Sequence, residues 1–525
     1  MWLAAALAFL PGLCASGADF DVLIKNGRIV DGTGNSWFAG DVGISKGRIV
    51  AVGRLAGKSA DRIIDAKGRV VAPGFIDVHT HIEGAVEKVP RGDNYLLDGV
   101  TTVVTGNCGG SMVKMGEWFA SLEKPGLGLN VASLIGHNSV RREVMGSANR
   151  EATDDEIAKM QALVDAAMRE GAVGFSTGLI YIPGTYADTR EVVEVARAAA
   201  KYGGVYASHM RDEGAQVLEA ITEAAHVGAE TGMRVELSHF KIDNRKLWGN
   251  STKSLALVEE FRKKGVDVVI DQYPYDRSST NLGITLPTWA LADGSKAIKE
   301  RLESKETRAR IAGEMKQMLA DRGLEDYGYA MVAGYVKNRE FEGKTIAEIV
   351  KAQGKEATLD EQIELIFEIT LEGGAQMVYH SMGEEDVERI AKWPHTAVAS
   401  DGGVREFDLG MPHPRSYGTN ARVLAEHVRK RGWLTLEDAV RRMTSLPART
   451  FGFKDRGMIR EGMAADLLVF DPAKVEDRAT YTNPHQFSVG FDYVLVNGGI
   501  VVQGGQLMEV RAGQVLRGPG TVAAQ

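Results

Sequence analysis

The chain has 525 residues, 44% hydrophobic and 25% charged, with a formal net charge of −8. That length supports one large core with smaller additions. The acidic balance and the lack of a basic cluster argue against nucleic acid as a partner.

The apolar stretch Trp2 to Leu13 is too short to span a membrane. Ser16-Gly17-Ala18 then offers a small-x-small cleavage site before Asp19. Residues 1–18 therefore read as a secretory signal peptide, although they lack Lys or Arg, and the protein is expected to be secreted or periplasmic. Its removal would take Cys14 and leave Cys108 the sole thiol, with no intramolecular disulfide partner.

Residues 19–72 read as short strands, with Asn26-Gly27 a hairpin signal. The far end repeats this character in Asp466–Phe470 and Tyr493–Val502, around Asn497-Gly498. A small β-sandwich domain built from both termini, 19–72 plus 451–525, is expected. Between them, strands alternate with helical patterns such as Asp154–Arg169 and Arg190–Tyr202. Alternation of this kind predicts a parallel sheet, and 73–450 has the length of an α/β (β/α)8 TIM-type barrel. The rhythm breaks over about 286–360, where Ala297–Arg322 is charged and helical and Tyr327–Tyr335 weakly strand-like. This stretch is expected to be an insertion late in the barrel. Nine candidate strands compete for eight places, the surplus one lying at Gln376–Tyr379 or Val268–Asp271.

Several candidate strands end on a metal-ligating residue. Gly74–Val78 leads into His79-Thr80-His81, and residues two apart on a strand share a face. Cys108 follows Thr101–Thr105 within a Gly-Asn-Cys-Gly-Gly turn. His209, His239 and Asp401 each end a short apolar run. In a parallel barrel such positions converge on the carboxyl-terminal rim. Imidazole and thiolate suit zinc, and the six residues suffice for two adjacent ions or one tight and one weak. Zinc lowers the pKa of a bound water to about 7. Asp401 can take that water's proton and pass it to a leaving amine; its bland alternative is a turn aspartate.

This constellation resembles the amidohydrolase superfamily. The stretches Thr105–Gly109, Gly174–Gly184, Ser208–Arg211, Ser238–Lys241, Tyr273–Tyr275, Ser400–Gly402 and His413–Thr419 resemble its N-acyl-D-amino-acid deacylase (D-aminoacylase) branch. The resemblance implies zinc-dependent hydrolysis of the amide of a small N-acyl-D-amino acid. It implies a tight zinc on Cys108, His209 and His239, and a weaker neighbouring site on His79, His81 and Asp401. Asp401 would be the acid/base. Lys241, Tyr273, Ser279 and Arg415 would clamp the substrate's carboxylate and carbonyl, with Tyr273 the donor to the carbonyl oxygen. Tyr379 and Met382 resemble side-chain pocket residues of the branch; by themselves they read as core. Glu83 stands where aspartate is usual, and Asn420-Ala421 where Phe-Pro is usual. Other readings are a peptidase or cyclic-amide hydrolase of the same superfamily, and a non-catalytic periplasmic binding protein. The oligomeric state is open.

Overall fold

The computed structural model describes residues 18–521. The expected signal peptide lies outside this range but for Ala18, and so does Cys14.

Nine strands from the two chain ends form one sheet. Its seam is Val70–Pro73 antiparallel to Leu467–Phe470, with Val71 opposite Val469. Where a two-sheet sandwich was expected, the strands form a single sheet that curls on itself. Ile49 N donates to Met463 O and Ala465 N to Gly47 O, each at 2.9 Å, closing the far side. Ile24, Val42, Ile49, Val71, Leu467 and Leu495 fill the enclosed core. Asn497-Gly498 does turn one strand into the next, with φ of 46° and 81°. Asn26-Gly27 does not. It is a bulge inside the continuous strand Phe20–Ile29, where the register shifts between Ile24 and Gly27. Asn26 holds φ 59°, its N–H donates to Asp41 Oδ1 at 2.9 Å, and a Cβ on Gly27 would meet Val71 at 2.5 Å. The dipeptide's left-handed conformation serves a bulge as well as a turn.

The middle of the chain supplies parallel strands in two sheets, one of three strands and one of six. They are β1 (Phe75–Asp77), β2 (Val100–Thr105), β3 (Asn130–Ser133, running on into Ile135–Gly136), β4 (Gly174–Gly178), β5 (Val205–His209), β6 (Val235–Leu237), β7 (Val268–Gln272) and β8 (Thr396–Val398). Each pairs in parallel with the next. Beyond the strand ends, Asp401 N donates to His79 O at 2.9 Å and His81 N to Gly402 O at 2.7 Å. These bonds join the segment after β8 to the segment after β1.

Helices fill the connections. Asp154–Glu170 illustrates why. Thr153 and Glu156 form a reciprocal capping box, and Gly171, at φ 118°, ends the helix. Ile157, Met160, Val164, Ala167 and Met168 recur at helical spacing and are buried. Each large side chain of that stripe contributes about 1.5–3 kcal/mol by burial. Among the described residues no helix is long and apolar enough to cross a membrane.

The late insertion is larger than 286–360. Its antiparallel sheet orders Arg277–Asn281, Gln376–His380 and Ala330–Gly334, and its core runs from Leu282 to Tyr379. Gln376–Tyr379 is thus the surplus strand, and Val268–Gln272 takes its place among the parallel ones. The helical stretch is two helices, Ser295–Glu303 and Lys305–Asp321.

Candidate functional site

The six candidate ligands meet where the parallel strands end. Cys108 Sγ lies 3.3 Å from His79 Nε2, 3.4 Å from His209 Nδ1 and 3.6 Å from His239 Nε2. His81 Nε2 and His79 Nε2 lie 3.1 and 3.5 Å from Asp401 Oδ1. Three overlapping triads have donor atoms within 4.8 Å of one another: His79–His81–Cys108, Cys108–His209–His239 and His79–His239–Asp401. Cys108, His79 and His239 each belong to two triads and so link the two groups of ligands implied by the resemblance.

The spacing fits a small tetrahedral ion. Zinc bonds of about 2.3 Å to sulfur and 2.0–2.1 Å to nitrogen hold those atoms roughly 3.5 Å apart. The three sulfur–nitrogen separations of 3.3, 3.4 and 3.6 Å bracket that value. His209 Nδ1 and His239 Nε2, at 2.9 Å, are closer together.

Carboxylates behind the cluster aim its histidines. His79 Nδ1 faces Asp271 Oδ2 at 3.2 Å, so its Nε2 points at the thiol. His239 Nδ1 faces Glu213 Oε1 at 2.9 Å. Such partners fix the tautomer and ring angle of a metal ligand. Neither acid is assigned a role by the sequence. Asp271 sits 192 residues from His79, and Glu213 follows His209 in a loop with no pattern of its own.

The backbone is bent at the same places. Cys108, His239 and Asp401 hold φ of 52°, 36° and 51°. Left-handed backbone in such residues costs on the order of 1–3 kcal/mol each and clusters at functional sites.

Electrostatics follow from the crowding. Burial opposes ionisation of Cys108, but His79 and His209 outweigh it and hold the thiol well below its usual range. Burial likewise opposes ionisation of Asp401, and the Arg415 guanidinium with His79 and His81 holds it well below the usual carboxylate range. Burial raises the Tyr273 phenol well above its ordinary value, so it is a neutral O–H donor.

These groups line a cavity of about 600 Å³. Arg415 is 5% exposed and stacks 4.7 Å over the Tyr273 ring. Its Nη2 donates to Ser279 O at 3.1 Å, and its Nη1 lies 3.0 Å from Asp401 Oδ2. The buried Tyr273 hydroxyl has no hydrogen-bond partner among the described residues. Lys241 Nζ donates to Glu213 Oε1 at 2.6 Å. Ser279 lines the cavity, but its hydroxyl donates to Met377 O at 2.7 Å, so it holds the insertion's sheet as well.

Two expected pocket residues lie elsewhere. Tyr379 is buried in the insertion's core, its hydroxyl donating to Asn281 O at 3.1 Å. Met382 does not line the cavity but packs behind it, in a cluster with Tyr273, Tyr275, Val387 and Tyr481. The antiparallel pairing of Gln376–His380 turns Tyr379 into packing, and Met382 packs just beyond that strand; packing is the bland reading of both. Tyr181, unassigned by the sequence, does line the cavity. Its ring lies edge-on to His209 at 4.7 Å, and its hydroxyl is 2.9 Å from Thr280 Oγ1. Glu83 accepts from Gly106 N at 2.8 Å, bracing the turn that carries Cys108.

Residues 62–502 match the model of the amidohydrolase family. The chain belongs to that family. This amidohydrolase is 34% identical to D-aminoacylase of Alcaligenes xylosoxydans xylosoxydans, over 95% of its own length and 97% of the relative's. It is 35% identical to N-acyl-D-glutamate deacylase of the same organism, over 96% and 98%. A solved structure of N-acyl-D-glutamate deacylase from Bordetella bronchiseptica is complexed with zinc and a phosphonate inhibitor, a mimic of the reaction's tetrahedral intermediate. The amidohydrolase resembles it with a TM-score of 0.81 at 35% identity, covering 95% of this chain and 99% of that one.

Proposed function

We propose that this amidohydrolase hydrolyses the amide bond of N-acyl-D-amino acids in a zinc-dependent reaction, releasing a carboxylate and a D-amino acid. The carrying observation is the meeting of Cys108, His209 and His239 beside Asp401 and Arg415 in one cavity. The deacylase relatives support the D-amino-acid class. The parallel pairings from β1 round to β8, with the bonds between the segments after β8 and β1, support reading the two sheets as one (β/α)8 barrel with its site at the carboxyl-terminal rim.

Cys108, His209 and His239 would hold the tight zinc, and His79, His81 and Asp401 a weaker second one. Bound zinc lowers the pKa of a water to about 7 and polarises a carbonyl. The Arg415 guanidinium binds the substrate carboxylate, with Lys241 adding positive charge. Tyr273 donates its O–H to the amide oxygen as negative charge develops there. Asp401 accepts a proton from water as the oxygen attacks the amide carbon. It returns that proton to the nitrogen as the carbon–nitrogen bond breaks.

The test is Cys108→Ala, assayed for bound zinc and for acetate released from N-acetyl-D-amino acids. Both are expected to fall together, zinc by more than tenfold. Full zinc content in the variant would overturn the ligand assignment.

A further inference from the structure

A second cavity, of about 800 Å³, opens beside the first. Ile180, Tyr181, Glu213, Asp243, Asn281 and Ile284 line both, the two carboxylates being held by Lys241 and Arg322. The second cavity's own wall includes Leu286, Pro287, Trp289, Leu291 and Met318, contributed by the insertion. Its polar groups are largely occupied by one another. Arg322 pairs with Asp243 at 2.6 Å, Arg142 Nη2 donates to Ile182 O at 2.9 Å, and Trp289 Nε1 donates to Glu314 at 2.7 Å. Asp212 accepts from Gly214 N and Gln216 N at 2.7 and 2.8 Å. A chamber whose polar atoms are spoken for presents its carbon to a ligand.

The chemistry of the first cavity decides which part of a substrate reaches the second. Asp401 and Arg415 must face the leaving nitrogen and the amino-acid carboxylate. Neither lines the second cavity, nor do His81 and Tyr273. The passage runs instead past Tyr181, whose ring abuts His209 on the other side of the ligand cluster. A carbonyl placed between these groups directs its acyl substituent toward Tyr181 and Ile180. An acetyl group would leave the second chamber empty.

The geometry points to a binding site for a long apolar acyl chain, so that the substrates are D-amino acids acylated with a medium or long hydrocarbon chain. This rests on the deacylase reading and specifies its substrate class. Each methylene buried in the chamber is expected to raise kcat/KM about fourfold.

The experiment compares N-acetyl, N-butanoyl, N-hexanoyl and N-octanoyl derivatives of one D-amino acid. A parallel series lengthens the amino-acid side chain at fixed N-acetyl. In the wild type, kcat/KM should climb along the acyl series. In Leu291→Asp and, separately, Met318→Asp, that climb should flatten while N-acetyl turnover stays within twofold, which also shows that the variants fold. A flat wild-type acyl series with good N-acetyl turnover would overturn the chamber assignment and leave the hydrolase reading standing. So would a climb that survives both variants, or one confined to the side-chain series. No turnover of any member would overturn the hydrolase reading itself, and this one with it.

Discussion

Of the two tyrosines lining the ligand cavity, Tyr181 has its hydroxyl engaged by Thr280, and Tyr273 has a buried hydroxyl with no partner among the described residues. A buried O–H without an acceptor costs free energy unless something arrives to take the hydrogen bond. A carbonyl oxygen gaining negative charge is the acceptor that makes most use of it. Tyr273→Phe should therefore lower kcat by roughly 10²–10³ and leave KM for N-acyl-D-amino acids within about threefold. Steady-state kinetics with N-acetyl-D-alanine decide the matter; a loss confined to KM would make Tyr273 a binding residue only. The role of Tyr273, though it stands beyond a strand end, came only from the resemblance to the deacylase branch. His79 and His81 were legible because residues two apart share a strand face. Asp271 and Glu213 were not, because a group that acts by bonding a distant imidazole leaves no spacing to read. Tyr379 and Met382 failed for a related reason. The burial of Tyr379 depends on pairings with Ala330–Gly334 and Arg277–Asn281, strands of an insertion whose partners no periodicity announces, and Met382, just past that strand, packs among residues equally distant in sequence.

Among the elements, the helical run ending at Lys430 carries a titratable group far from the cavity. His427 is 5% exposed, with the Trp433 ring 4.6 Å away. Burial, aided by Arg422 and Arg431, pushes its pKa down to about 3. An unfolded histidine titrates near 6.5. Between those values the unfolded chain binds a proton that the folded chain refuses, so stability is lost as pH falls from about 6.5 toward 3. At pH 5 the loss from this group is about 2 kcal/mol. His427→Phe keeps the ring volume and removes the titration. Urea midpoints at pH 7 and pH 5 should show the wild type losing about 2 kcal/mol more than the variant. Equal losses would mean that His427 takes up its proton inside the fold. The elements themselves were the most legible level, since apolar stripes and capping residues such as Thr153 and Glu156 act within a few residues. The Asn26-Gly27 bulge marks the limit: left-handed backbone was readable there, but its partner strand was not.

At the scale of the molecule, the ligand cluster ties together residues from His79 to Asp401, held at the ends of five strands or in the segments after them. The unfolded chain has no such site, so an ion bound there stabilises only the folded state. That linkage is worth about 2.7 kcal/mol at a free-ion concentration one hundred times Kd. Without the ion the same geometry is a liability. His209 Nδ1 and His239 Nε2 stand 2.9 Å apart, so one of these two nitrogens must donate to the other and both cannot be protonated. Three ligand-bearing residues also keep left-handed backbone. Prolonged dialysis against a chelator should therefore lower the thermal unfolding midpoint by roughly 2–5 °C, and stoichiometric zinc should restore it. Cys108→Ala should unfold at the same temperature with and without chelator, because it lacks the sulfur common to two of the three ligand triads, including the one expected to hold the tight ion. Scanning calorimetry paired with metal analysis reads both. A wild-type midpoint that stays put once the metal is demonstrably gone would show that the strand ends are held by packing alone.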